Sequence, residues 1–155
     1  VAFSLTSRAA SLPIVELGHC GEFEKTTRMY HLMDFAAKIA LEEGFLDAQV
    51  PNRSFTIRIR TASTMCTSSL ASPLTLPLLL GVGQESGRIH SVTEEFPPVL
   101  AISGCSCSSV SAIVSQLAAP LQVPIISGAS TSPSLSNKAL HPYFSRTCSP
   151  DSKQG

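Results

Sequence analysis

The chain has 155 residues, 43% of them hydrophobic and 14% charged, with 11 lysines and arginines against 11 aspartates and glutamates. A domain of this size buries roughly two-thirds of the surface its unfolded chain exposes, and low charge with ample apolar surface drives collapse, so disorder is expected only at the ends. Balanced charge without a basic run excludes a nucleic-acid partner, and no apolar stretch reaches the roughly 18 to 20 residues of a membrane-spanning helix.

In chain order, Pro13-Ile-Val-Glu-Leu17 is a short β-branched run ending at Gly18 and predicts a buried strand, with a loop from Gly21 onward. From Arg28 to Glu43, Met29, Leu32, Met33, Ala36, Ala37, Ile39 and Ala40 recur mostly at spacings of three and four, which predicts a helix stopped by Gly44. Phe55-Thr-Ile-Arg-Ile-Arg60 alternates with period two and predicts a strand at or near a sheet edge, with Phe55, Ile57 and Ile59 on its covered face. Thr64 to Gly81 carries a helical set of leucines despite Pro73 and Pro77, and Gly83 to Pro98 is polar and turn-rich. Strands are expected at Val99–Ser103, Val123–Ser127 and Tyr143–Thr147, with a helix at Ser108–Ala119 led by capping-type serines. Strands alternating with helices predict an α/β fold, a three-layer parallel sheet with helices on both faces, because each parallel strand needs a crossover.

The five cysteines Cys20, Cys66, Cys105, Cys107 and Cys148 are an odd number and cannot all pair within the chain. Cys105 and Cys107 have one residue between them, match no zinc spacing, and are open to either a disulfide or a reactive thiol role at a helix start. No metal or cofactor is expected. Asn52-Arg-Ser54 is a glycosylation sequon in a turn-like stretch. His19, His31, His90 and His141 have no recognisable nucleophile partner, and no Gly-x-Ser-x-Gly elbow is present, so an enzyme is not expected.

In an open parallel sheet, ligands bind beyond the carboxyl ends of the strands, where helix amino termini also point. Gly104-Cys-Ser-Cys-Ser-Ser109 follows one strand and Ser127-Gly-Ala-Ser-Thr-Ser132 follows the next, so two hydroxyl-rich turns share an edge if those strands are neighbours. Hydroxyls and unpaired backbone N–H groups together suit a carboxylate. Serines before helices are also ordinary caps, and neither loop has a phosphate-loop or dinucleotide glycine pattern.

Ser108-Ser-Val-Ser-Ala-Ile-Val114, Val123-Pro-Ile-Ile-Ser127, Ala129-Ser-Thr-Ser-Pro-Ser-Leu-Ser-Asn-Lys138, Tyr143-Phe-Ser-Arg-Thr147 and Ser149-Pro-Asp-Ser152 resemble, in order and spacing, the first lobe of metabotropic glutamate receptors and related class C receptors. The resemblance covers roughly Val99 to Gln154 closely and the upstream part in outline. It implies a flavodoxin-like lobe of a periplasmic-binding-protein-like type I domain. It also implies an amino acid ligand held by its α-carboxylate and α-amino group at Ser108 and Thr131, with backbone contacts from Ala129 and Ser130 and with Ser109 as a further ligand-binding candidate. The arginine with which glutamate-selective members grip the distal carboxylate falls near His31 or Leu32, with Arg28 about one turn early, so the resemblance does not by itself assign glutamate as the ligand. Residues 1–155 are then expected to be the amino-terminal lobe of a longer chain whose second lobe lies beyond Gly155. That chain would be an extracellular part of a membrane receptor, a homodimer through first-lobe helices, signalling by lobe closure to a G-protein-coupled membrane domain. Receptor guanylyl cyclases, natriuretic-peptide receptors and soluble amino-acid-binding proteins share the fold and are the alternative.

Overall fold

The computed structural model describes residues 13–21, 49–52, 54–82 and 97–154. The helix expected over Arg28–Glu43 and most of the polar stretch from Gly83 lie outside them. Strands β1 (Ile14–Gly21), β2 (Thr56–Ser63), β3 (Ala101–Gly104), β4 (Ile125–Ser127) and β5 (Phe144–Arg146) form one five-stranded sheet in the order β2-β1-β3-β4-β5. All four pairings are parallel, so this is the flavodoxin-like arrangement with β2 on one edge, as expected.

Helices α1 (Ser68–Leu80) and α2 (Ser108–Ala118) pack together on one face of the sheet. There Leu78, Leu79, Val110, Val114 and Ala118 meet Ile102, Ile125 and Phe144 in the core, each large apolar side chain contributing about 1.5–3 kcal/mol by burial. On the opposite face Ile126 of β4 is 51% exposed, and the helix expected to cover that face lies outside the described residues. Pro73 and Pro77 sit inside α1, while the residues it buries are Ala71, Thr75, Leu78 and Leu79. Pro73 is exposed and Pro77 half-buried, and each withholds one N–H from the backbone ladder without taking a place among the buried side chains. Gly81 ends the helix in the left-handed region at φ 73°.

Two local expectations are corrected. Gly18 does not end β1; the strand runs on to Gly21, and Gly18 is a point of close approach, since a Cβ there would lie 3.1 Å from Ile102 and 3.5 Å from Leu78. In β2 the face carrying Ile57 and Ile59 is only half-buried, whereas Arg60 and Ala62 of the other face are buried. The reason is Glu16, buried on β1 directly opposite Arg58, whose Nε lies 3.2 Å from its carboxylate. Arg60 donates from Nη2 to the carbonyl of Val82 at 2.9 Å, and the nearby Glu16 charge opposes the lowering of its pKa by burial.

Disulfides join Cys20 to Cys105 and Cys66 to Cys107, leaving Cys148 as a free thiol. Both cross-links reach the segment between β3 and α2. Gly104, which ends β3 just before that segment, has φ 97°, and a Cβ there would overlap the carbonyl of Cys20. Gly104→Ala should therefore destabilise the fold by on the order of 3 kcal/mol, combining a left-handed backbone with a backbone clash. Chemical denaturation of the oxidised protein measures this, and an unchanged midpoint would contradict the close approach.

His141 is buried, and its Nδ1 lies 2.6 Å from Ser115 Oγ on α2, which in turn donates to the carbonyl of Ala112 at 3.0 Å. Burial lowers the imidazole pKa below 6.5, and Lys138 lowers it further. The folded state thus binds a proton less readily than the unfolded chain. The resulting stability is present above the ordinary histidine pKa of about 6.5 and is lost as the pH falls below it. The melting temperature should fall between pH 7.5 and 5, and His141→Asn should flatten that fall even if it lowers stability at neutral pH.

Candidate functional site

Because β3 and β4 are parallel neighbours, with Ile102 opposite Ile125 and Ser103 opposite Ile126, the segments that follow them emerge at the same edge. The structure brings the two serine-rich turns together. Ser127 Oγ donates to the carbonyl of Cys105 at 2.8 Å, and Ser130 Oγ lies 2.9 Å from the same oxygen and 3.2 Å from that of Ser106. Ser111, one turn into α2, places its hydroxyl 2.9 Å from the Cys105 carbonyl and 2.7 Å from Ser130 Oγ. At the rim, the N–H of Ser132 donates to Ser108 Oγ at 3.1 Å.

The second turn has its carbonyls tied back into the protein. Arg146 on β5 donates from Nη1 to the carbonyl of Ser130 at 3.0 Å and to that of Ser132 at 2.8 Å. The carbonyl of Thr131 accepts the N–H of Asp151 at 2.9 Å. The N–H groups of Ala129 and Ser130 both point to Ser127 Oγ, at 3.3 and 3.1 Å. Among the described residues no partner is found for the N–H or the hydroxyl of Thr131, or for the hydroxyl of Ser109. Ser108 Oγ accepts a bond and keeps its own hydrogen to donate.

The expected serine cap is not what starts α2. Cys107, linked to Cys66, stands at the N-cap with no side-chain capping bond, and Ser108 is the first helical residue. The first-turn amides, which have no acceptor within the helix, are left without that cap. With the N–H and hydroxyl of Thr131 and the hydroxyl of Ser108 they line one edge, where these donors have no acceptor among the described residues while the carbonyls of Ser130, Thr131 and Ser132 are taken. Such an edge suits an anion.

Of the expected residues, Ser108 and Thr131 are half-buried at this rim, and Ser109 and Ala129 are exposed beside them. Ser130 is placed otherwise. It is 0% exposed, and its N–H, carbonyl and hydroxyl are all engaged within the protein, so it joins the two turns and has no group left to offer a ligand. Reading the sequence did not single out Ser111, Ser127 or Arg146 for a role. The period of α2 places Ser111 with Val110, Val114, Ser115 and Ala118 on the buried face, which was a usable signal for an internal hydroxyl. No comparable local pattern marked Arg146. Among the described residues no group of three or more His, Cys, Asp or Glu is arranged to hold a metal ion.

The chain is similar to metabotropic glutamate receptor 6 of rabbit (Oryctolagus cuniculus), rat (Rattus norvegicus) and mouse (Mus musculus), each 45% identical over 60 residues, covering 37% of this chain and 7% of the receptor. The matched part is thus a small fraction of those receptors. The fold is that of the branched-chain amino acid transporter substrate-binding protein LivJ from Streptococcus pneumoniae, solved in complex with isoleucine. The TM-score is 0.65 at 19% identity, over 90% of this chain and 35% of that one. These relatives are receptors or binding proteins, not enzymes. Residues 32–155 match the family described as receptor family ligand binding region, and the chain belongs to that family.

Proposed function

We propose that this chain is the first lobe of an amino-acid-binding receptor of the metabotropic glutamate receptor type, and that its two serine-rich turns hold the ligand's α-carboxylate. The observation that carries the reading is the partition of hydrogen bonds at the rim: carbonyls bound internally, and the Thr131 N–H, Thr131 hydroxyl and Ser108 hydroxyl left to donate outward. Ser109 and Ala129 flank the bound group, and Ser130 supports it from beneath. A second lobe, contributed by residues beyond this chain, closes over the ligand and supplies the remaining contacts. Closure then signals to a G-protein-coupled membrane domain, with the first lobes paired as a homodimer on the extracellular side of the plasma membrane.

A charge-assisted hydrogen bond is worth roughly 1.5 to 3 kcal/mol, or about tenfold to a hundredfold in affinity. In the full-length protein, Ser108→Ala and Thr131→Ala should each raise the dissociation constant for an α-amino acid by that factor. Ser134→Ala should change it little, since Ser134 is exposed and bonds only with Ser132 Oγ among the described side chains. Calorimetry over a panel of amino acids reads this directly, and wild-type affinity in both site variants would refute the clamp.

The extracellular placement has its own check. Asn52 and Ser54 of the sequon are exposed, and Asn52 lies in a turn at φ 61°, a conformation asparagine tolerates. Protein secreted from a glycosylating cell should lose mass on treatment with an endoglycosidase, and Asn52→Gln should remove one oligosaccharide's worth of that shift.

A further inference from the structure

We infer that Arg146 is a positioning residue for the ligand edge, setting both the shape and the charge of the turn that carries Thr131. This inference rests on the carboxylate reading above. The guanidinium binds the carbonyls on either side of Thr131, Ser130 at 3.0 Å and Ser132 at 2.8 Å through one nitrogen, while its other terminal nitrogen bonds Ser136 Oγ. Ser136 closes the short 3-10 turn Pro133–Ser136, so one side chain ties the start, the middle and the far end of the segment after β4 to strand β5.

Two consequences follow. The peptide that joins Ser130 to Thr131 has its carbonyl on Arg146 and so turns the Thr131 N–H the other way, toward the rim, which is the orientation an anion needs, while the Ser132 carbonyl, which precedes Pro133, anchors the turn without bringing an N–H of its own. The positive charge itself lies behind the turn, where it adds to the field felt by a carboxylate without touching it. A lysine cannot reproduce the arrangement, since a single ammonium on a flexible stem lacks the planar fork that spans separated acceptors.

The test compares ligands as well as variants. L-glutamate and L-isoleucine, each beside its α-amide, are titrated into the full-length protein, and the ratio of acid to amide affinity is recorded. Arg146→Gln should lower that ratio about tenfold, the worth of roughly one charge-assisted hydrogen bond. Arg146→Lys should recover less than half of the loss on a logarithmic scale, and Ser136→Ala should give a smaller loss in the same direction. General damage to the fold lowers the affinities of acid and amide together and leaves the ratio unchanged. A wild-type ratio in Arg146→Lys and Ser136→Ala, or in a folded Arg146→Gln, overturns the positioning role. If Ser108→Ala and Thr131→Ala lower the ratio while the Arg146 variants do not, only this inference fails; if none of them does, the carboxylate reading fails with it.

Discussion

The carbonyl oxygen of Cys105 is the point on which the ligand edge depends. It lies 2.8 to 2.9 Å from the hydroxyls of Ser111, Ser127 and Ser130, which come from α2, from the end of β4 and from the turn after it. The residue that carries it is held to β1 through Cys20. A buried carbonyl without partners would be costly, and so would three buried hydroxyls; gathered together they satisfy one another and leave little freedom in how the two turns meet. The spacing between Ser108 and Thr131 is therefore a property of the buried network, not of the exposed residues that would touch a ligand.

Binding an anion requires donors, and a turn normally presents donors and acceptors alternately along its backbone. Here the alternation is resolved by occupying the acceptors from within. Arg146 takes the carbonyls of Ser130 and Ser132, and the N–H of Asp151 takes that of Thr131. The helix contributes in the same sense, because its first-turn amides carry no side-chain cap. Each of these donors is already desolvated in part and held in place, so a carboxylate docking there meets groups that lose little further freedom.

The disulfides make the same edge less free to rearrange. Cys105 and Cys107 bracket Ser106 just ahead of α2, and their partners lie at the end of β1 and in the turn after β2. That turn contains Met65 and Cys66 in the left-handed region, at φ 47° and 57°. Two successive residues with side chains are disfavoured there by roughly 1–2 kcal/mol each, and the link from Cys66 helps hold them. The sheet, the helix and both turns thus share covalent as well as hydrogen-bonded ties near the candidate site.

Periodicity along the sequence determined the strand and helix order of the described part. The alternation of Ile57 and Ile59, the apolar runs before Ser103 and Ser127, and the spacing of Val110 and Val114 are local signals, and each placed its element within a few residues. The parallel pairing followed from the crossovers, and the serine turns followed from lying at the strands' carboxyl ends. What the tertiary structure alone decided is which partner each polar group takes. Ser130 and Thr131 are neighbours of similar chemistry, yet one is sealed beneath the turns and the other is at the rim, because the side chain at 130 faces Cys105 and Ser111 from α2, 19 or more residues away. Likewise, Arg60 is buried and Ile57 half-exposed because Glu16 lies across the sheet, and Cys20 found Cys105 across 85 residues. A local pattern records which side of an element meets the core. The choice of partner is made between segments that only folding brings together.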